Sequence, residues 1–269
     1  MKGQISIIGC GWLGLPLAQS LIEKNYKIKG STTSESKLSE LHKSSIEGFV
    51  ITLNEEGIKG NIHGFLNESD TIIINIPPGL RRHPNKNHVK EIEHLMDAIT
   101  RHKIKNILYV SSTSVFENEE HFPVIKNNTK PNATSNSALQ LIVIEKMLKA
   151  NGNFNTTILR FGGLLDDFRH PGKFLSGRKN ISDPDAPINL IHKEDCIGII
   201  STILQQNYWN IALNASYPIH PNKSDYYISY SKRHGLDLPE FNLSKKNKGK
   251  IIDSSELVQL LKYRFKQAP

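Results

Sequence analysis

At 269 residues the chain is long enough to bury a large core, as one big domain or as a domain with a smaller lobe grown from it. Its net charge of +8 comes mostly from scattered lysines, the one dense run being Lys245, Lys246, Lys248 and Lys250, and no DNA- or RNA-recognition module accompanies them; a solvated loop and a general attraction to acidic ligands are expected rather than a nucleic-acid partner. Cys10 and Cys196 form no disulfide framework, the 11 histidines show no ligand spacing, and the apolar runs are strand-length with no secretion signal, so the expectation is a reducing cytoplasm, no metal and no membrane.

The chain opens with a short apolar strand within Gln4–Gly14 that feeds into Gly9, Cys10, Gly11, Trp12, Leu13 and Gly14. Gly9 permits a tight exit from the strand, Gly11 lets the backbone approach a pyrophosphate, and Gly14 lets the next helix pack close, its amides facing the anion. That helix carries Leu13, Leu17, Leu21 and Ile22, with Pro16 in its first turn, where a missing amide is harmless. A second strand is predicted over 26–30. Where an NAD site usually offers a carboxylate to the ribose hydroxyls, the sequence has Ser31, Thr32 and Thr33, and Glu35 falls in the next helix. Hydroxyls with Lys29 or Lys37 would accommodate a 2′-phosphate, which favours NADP over NAD; an ordinary Ser/Thr helix cap is the alternative.

Strands are predicted over 49–53 and 71–76, the latter an apolar run suited to a buried parallel strand. It stops at Ile76, Pro77, Pro78 and Gly79, a rigid turn placed to pack on the cofactor, with Arg81 and Arg82 able to reach a phosphate of the ligand or simply lying at the surface. A helix over 85–102 presents Val89, Ile92, Leu95, Met96 and Ile99 on one face. The strand over 107–110 ends in the hydroxyl-rich run Ser111, Ser112, Thr113, Ser114, where chemistry would be placed. A polar loop (117–136), a helix (137–150) and a strand (156–160) follow.

Beyond residue 160 the alternation loosens. A loop with Lys173 and Arg178 could cover a substrate anion, a short strand over 188–192 ends at His192, and a helix runs from Lys193 through Leu204. A strand over 209–213 and helices over 223–234 and 254–262 complete the chain. The expected fold is α/β, a Rossmann-type doubly wound parallel sheet with a small C-terminal substrate lobe: a dinucleotide-binding region over 1–160, and over 161–269 the lobe plus the last strands and helices of the sheet.

The glycine turn, Tyr109–Phe116, Ile158–Gly163 and Asn189–Asp195, in this order, resemble the extended and atypical short-chain dehydrogenases of the NAD-dependent epimerase/dehydratase family. Gly9–Ala18 together with His170–Arg178 is similar to the YeeZ-like group of bacterial proteins. The resemblance implies an NAD(P) cofactor, a small-molecule substrate of polar carbohydrate or nucleotide-linked type, and a homodimer paired through the helices near 85–102 and 137–150. In that family a Tyr-x-x-x-Lys pair and an upstream Ser or Thr handle the proton that accompanies hydride transfer. Ser112 aligns with the hydroxyl. Anchored on Glu145, however, Ser137 stands at the tyrosine position and Leu141 at the lysine position, and none of the eight tyrosines has lysine four residues on. His192, whose ordinary pKa suits proton exchange, is the candidate replacement, with a structural role as its alternative. A protein that keeps the dinucleotide but senses rather than catalyses is the alternative function.

Overall fold

Uninterrupted runs of β-branched residues need apolar cover on both faces, and a parallel sheet between helix layers supplies it. The computed structural model describes residues 2–244 and 246–269. Its strands are β1 (Gln4–Ile8), β2 (Lys27–Thr32), β3 (Glu47–Val50), β4 (Thr52–Asn54), β5 (Gly57–Lys59), β6 (Thr71–Ile74), β7 (Asn106–Ser112), β8 (Val124–Ile125), β9 (Asn155–Phe161), β10 (Gly163–Leu165), β11 (Leu190–His192), β12 (Ala212–Ala215) and β13 (Ile251–Ile252). Its α-helices are α1 (Gly14–Glu23), α2 (Leu38–Lys43), α3 (Ile62–Leu66), α4 (His88–Arg101), α5 (Asn136–Ala150), α6 (Pro171–Leu175), α7 (Lys193–Gln206), α8 (Lys223–Arg233) and α9 (Ser255–Leu261).

A seven-stranded parallel sheet runs in the order β3-β2-β1-β6-β7-β9-β12, the doubly wound arrangement that the sequence implies. The chain steps outward from β1 to β3, then returns to lay β6 on the other side of β1. That reversal makes the carboxyl ends of β1 and β6 the switch point, where an open α/β sheet leaves a crevice. All four residues of β6 are buried, and α4 turns Ile92, Leu95, Met96 and Ile99 inward.

The chain divides into two compact units. The first comprises Met1–Ser112, Ser135–Leu159 and Ile200–Ala212, and the second Thr113–Thr134, Arg160–Ile199 and Leu213–Pro269. In the second, two small parallel ladders form, β10 with β11 and β8 with β13. Leu165, Ile188, Leu190 and Tyr227 make a buried cluster there. Asp195, fully buried, holds the end of the chain: its carboxylate accepts from the Tyr263 hydroxyl (2.9 Å) and from the amides of Lys266 (2.8 Å) and Gln267 (3.1 Å).

Several expectations shift. The second strand extends to Thr32, so Ser31 and Thr32 lie in the sheet itself. The predicted strand over 49–53 is an edge strand ending at Val50 followed by the β4–β5 hairpin, and α3 went unpredicted because five residues carry too little periodicity. The loop over 117–136 contains β8, and the strand ending at His192 pairs with β10 rather than joining the main sheet. The last sheet strand starts at Ala212, later than expected. The basic run is no uniform solvated loop: Lys246 pairs with Glu120 at 3.0 Å, while Lys250 is buried and donates to the Phe116 carbonyl at 2.5 Å; Lys245 lies outside the described residues.

Replacing Asp195 by Ala should leave a buried phenol and two amides without their acceptor and cost about 2–3 kcal/mol. Urea unfolding of the variant checks this; an unchanged midpoint would show that the carboxylate does not hold the C-terminal segment.

Candidate functional site

The turn between β1 and α1 is built by exclusion. Gly9 has φ +99°, and a Cβ there would lie 2.4 Å from the Asn75 carbonyl; a Cβ on Gly14 would lie 2.1 Å from the Gly9 carbonyl. Both positions are thus closed to any side chain by neighbouring backbone. Gly11 differs, because a Cβ there meets no protein atom within 4 Å. The turn is pinned from both sides: Asn75, just past β6, donates its side-chain amide to the Gly9 carbonyl (3.1 Å), and the Ser31 hydroxyl accepts from the Gly9 amide (3.0 Å). The Cys10 amide donates to the Ser31 carbonyl (2.8 Å), and burial pushes the Cys10 thiol up to about 12, so it contributes packing rather than reactivity. Leu13 is buried and Trp12 half-buried, and α1 begins with no side-chain cap and no acidic residue in its first turn. Such a terminus has unused positive dipole to offer an anion.

Around this turn the predicted cofactor residues take different places. Ile76 packs beside Gly9, with its Cγ2 2.9 Å from where a Gly9 Cβ would be; Pro77 is exposed and Pro78 half-buried. Ser31 is committed to the turn itself. Thr32 is buried, its hydroxyl accepting from the Ser34 amide at 3.3 Å, and Thr33 is exposed. Lys29 is a correction: its ammonium donates to the Gly64 and Asn67 carbonyls (2.8 and 2.9 Å), capping the end of α3, so it cannot also serve a ribose phosphate. Lys37 remains exposed in the short 3₁₀ turn after Ser34.

The loop after β6 carries Arg81 and Arg82, both exposed, and is clamped onto the start of α5. Gln140 accepts from the His88 amide (2.7 Å) and donates to the Lys86 carbonyl (3.0 Å), while Asn136 donates to the Pro84 carbonyl (3.2 Å). Glu91 closes the clamp with Lys86 (2.9 Å) and His88 (2.8 Å). Burial raises its pKa, yet the hydrogen bonds and the charges of His88 and Lys86 together outweigh burial and hold the carboxyl below its ordinary value.

At the end of β7 the two serines separate. The Ser111 hydroxyl donates to the buried Glu145 carboxylate on α5 at 2.7 Å, a structural bond, whereas Ser112 points its half-buried side chain off the opposite face of the strand. On α5, Ser137 is half-buried and Leu141 lies in the core.

His192, Thr113, Lys173 and Arg178 belong to the second unit. His192 caps the first turn of α7, its Nδ1 accepting from the Glu194 amide at 3.2 Å. In the neutral ring the hydrogen therefore sits on Nε2, which is buried, lacks a hydrogen-bond partner among the described residues and lies 3.8 Å from an Asp167 carboxylate oxygen. This arrangement suits a hydrogen-bond donor better than a base. Thr113 is buried in the 3₁₀ turn Thr113–Val115, Lys173 folds back on the Asp167 and Phe168 carbonyls (2.8 and 3.3 Å), and Arg178 is exposed.

Residues 9–189 match the NAD(P)H-binding family. The chain belongs to it. This NAD(P)H-binding protein is 30% identical to protein YeeZ of Escherichia coli K12 over 264 residues, covering 97% of this chain and 95% of YeeZ. Its fold matches that of MoeE5 in complex with UDP-glucuronic acid and NAD (TM-score 0.79, 14% identity, 99% of this chain and 95% of that one). It also matches the UDP-glucuronic acid 4-epimerase of Bacillus cereus in complex with NAD (TM-score 0.79, 17% identity, 98% and 92%).

Among the described residues no group of three or more His, Cys, Asp or Glu is placed to hold a metal, and no helix is long and apolar enough to cross a membrane. Asn75 was missed by sequence reasoning. Its signal was a polar residue breaking the apolar run Ile72–Ile76 at a strand's carboxyl end.

If coenzyme binds at the turn between β1 and α1, Gly11→Ala should leave the melting temperature unchanged and weaken coenzyme binding by at least tenfold, because only a ligand competes for that space. Gly14→Ala should instead destabilise the fold. Thermal melts paired with coenzyme titration check both, and a Gly11→Ala protein that still binds normally would show that no ligand approaches there.

Proposed function

We propose that this chain is an NAD(P)-dependent oxidoreductase or epimerase of the short-chain dehydrogenase superfamily, acting on a polar carbohydrate-like or nucleotide-linked substrate. The observation that carries this reading is the clear space at Gly11 between two positions jammed by backbone, at an uncapped helix N-terminus on the sheet's switch point. A diphosphate fits there: with the Gly9 and Cys10 amides committed to Ser31, amides of the turn beyond Cys10 would hold it and the α1 dipole would favour its charge. A nicotinamide coenzyme, when bound, supplies hydride transfer.

The chain's own contribution is positioning. Ser112 is the hydroxyl assigned to the substrate oxygen, and His192 an Nε2–H donor in the second unit. Thr113, Arg81, Arg82, Lys173 and Arg178 are assigned to substrate contacts. The role of the 1–160 region is cofactor binding, and the substrate lobe belongs to 161–269. NADP is the preferred coenzyme in this reading, because the end of β2 carries Thr32 and Thr33 in place of a carboxylate while Lys37 stays exposed; MoeE5 and the Bacillus cereus epimerase are in complex with NAD. The nucleotide-linked substrate class is supported by MoeE5 and the Bacillus cereus epimerase, whose names specify UDP-glucuronic acid.

A second reading is a dinucleotide-binding sensor. Ser137 and Leu141 favour it, since a buried leucine offers neither a proton nor a charge to depress a neighbouring pKa.

Coenzyme fluorescence with NADPH and NADH, followed by a panel of UDP-sugars and simple carbonyl compounds, separates the two. The enzyme reading expects turnover and a Ser112→Ala variant whose kcat falls about a hundredfold while coenzyme affinity holds. Equal losses in both would reject the role of Ser112. Tight coenzyme binding with no turnover across the panel would establish the sensor.

A further inference from the structure

The segment His170–Arg178 and helix α8 form a polar aromatic cluster wholly within the second unit. The His170 ring stacks on Tyr230 with centroids 3.7 Å apart and planes 7° from parallel, and Tyr230 in turn lies against His234 at 4.2 Å. Burial, with help from His234 and Lys173, pushes the His170 pKa down to about 4, so the ring is neutral near pH 7.

Its tautomer is fixed by geometry. Nδ1 accepts from the Gly172 amide at 3.0 Å, and an amide can only donate, so Nδ1 carries no hydrogen. The ring hydrogen is then on Nε2, which donates to the Tyr226 hydroxyl at 2.8 Å. The Tyr226 hydroxyl is thereby the acceptor in its one hydrogen bond among the described residues, and its own hydrogen is directed elsewhere. Burial raises the Tyr226 phenol well above its ordinary value, so the hydroxyl keeps that hydrogen through the physiological range. Half-buried, oriented by a partner that cannot reverse roles, it is a preorganised donor.

Cations near the pair favour a negatively charged acceptor. Arg233 acts electrostatically on Tyr226 and Lys173 on His170; Asp167, which acts on Tyr230, and Asp237, which lies beside Gly177, oppose them. A charge-assisted hydrogen bond in such a setting is the stronger kind.

We propose that Tyr226, held by His170, donates a hydrogen bond to an anionic oxygen of the substrate, a carboxylate or a phosphate. The assignment rests on the substrate reading above. It makes Tyr226 a substrate-contacting specificity residue and His170 a positioning residue; neither is asked to transfer a proton.

The test uses calorimetric titration of the full chain with UDP-glucuronate and UDP-glucose, which share a diphosphate and differ by one carboxylate, with and without saturating NADH. Tyr226→Phe keeps the ring and its packing and should weaken UDP-glucuronate binding roughly tenfold with NADH affinity unchanged. Loss confined to UDP-glucuronate identifies the carboxylate as the acceptor, and an equal loss for UDP-glucose identifies the phosphate. Equal affinities in wild type and variant overturn the proposal, as does a wild type that binds neither compound. NADH failing to bind strikes the cofactor reading instead, and the coenzyme-free titrations still decide this one. His170→Asn retains an acceptor for the Gly172 amide but not the donor to Tyr226, and should give an intermediate loss. Nitrogen NMR of labelled histidine adds an independent readout: a hydrogen on Nδ1 of His170 between pH 6 and 8 would make Tyr226 the donor to the ring and end the proposal.

Discussion

The approach of Gly14 to the Gly9 carbonyl is the constraint on which the nucleotide end of the molecule depends. An added carbon 2.1 Å from that oxygen would sit far inside the contact distance of about 3.5 Å for non-bonded heavy atoms. With hydrogen there instead, α1 can leave β1 at close range, and its N-terminus carries no side-chain cap. Asn75 then ties the same carbonyl to the end of β6, the strand laid beside β1 when the chain reverses direction. Turn, helix start and switch point are one unit of packing, and Gly11 is the one glycine of the three that this packing leaves unexplained. A small residue where the protein itself imposes no crowding leaves room for a ligand to approach the backbone.

Three buried carboxylates elsewhere are spent on structure. Glu145 takes the Ser111 hydroxyl, Glu91 the Lys86 and His88 donors, and Asp195 three donors from the C-terminal segment. Each is a carboxylate whose lone pairs are met by donors, from distant parts of the chain for Glu145 and Asp195 and from the adjoining residues for Glu91, the condition under which burial of charge is tolerated. Near Glu145, on the same helix, the positions assigned to tyrosine and lysine by family resemblance hold a serine and a core leucine. A proton carrier of the family's Tyr-Lys type is therefore absent from these positions, and the proposed chemistry would need other groups, solvent or the substrate itself to carry a proton.

The alternation of strands and helices was legible because it is local: the apolar run over β6 and the 3.6-residue stripe of α4 are properties of consecutive residues. So was the glycine turn. What the sequence hid were side chains whose partners lie far along the chain. Lys29 seemed available to a phosphate but belongs to carbonyls at the end of α3, and Lys250, one of a run of surface-like lysines, is buried on the Phe116 carbonyl. The hairpin and α3 escaped because elements of three to five residues leave little periodic trace.

The histidines show how identity alone misleads about chemistry. His192 was attractive as a proton exchanger because of its ordinary titration range, yet both it and His170 spend Nδ1 on a backbone amide at a helix start. At His170 an imidazolium would have to place a second hydrogen on that nitrogen, against an amide hydrogen already pointing at it, which agrees with the lowered pKa that burial gives this ring. What remains to both rings is an Nε2–H, fixed in direction and suited to holding an oxygen rather than taking its proton. In the second unit these two histidines and Tyr226 are accordingly a set of oriented donors, which is the chemistry of recognition, and a polar, oxygen-rich ligand is the kind that such donors can discriminate.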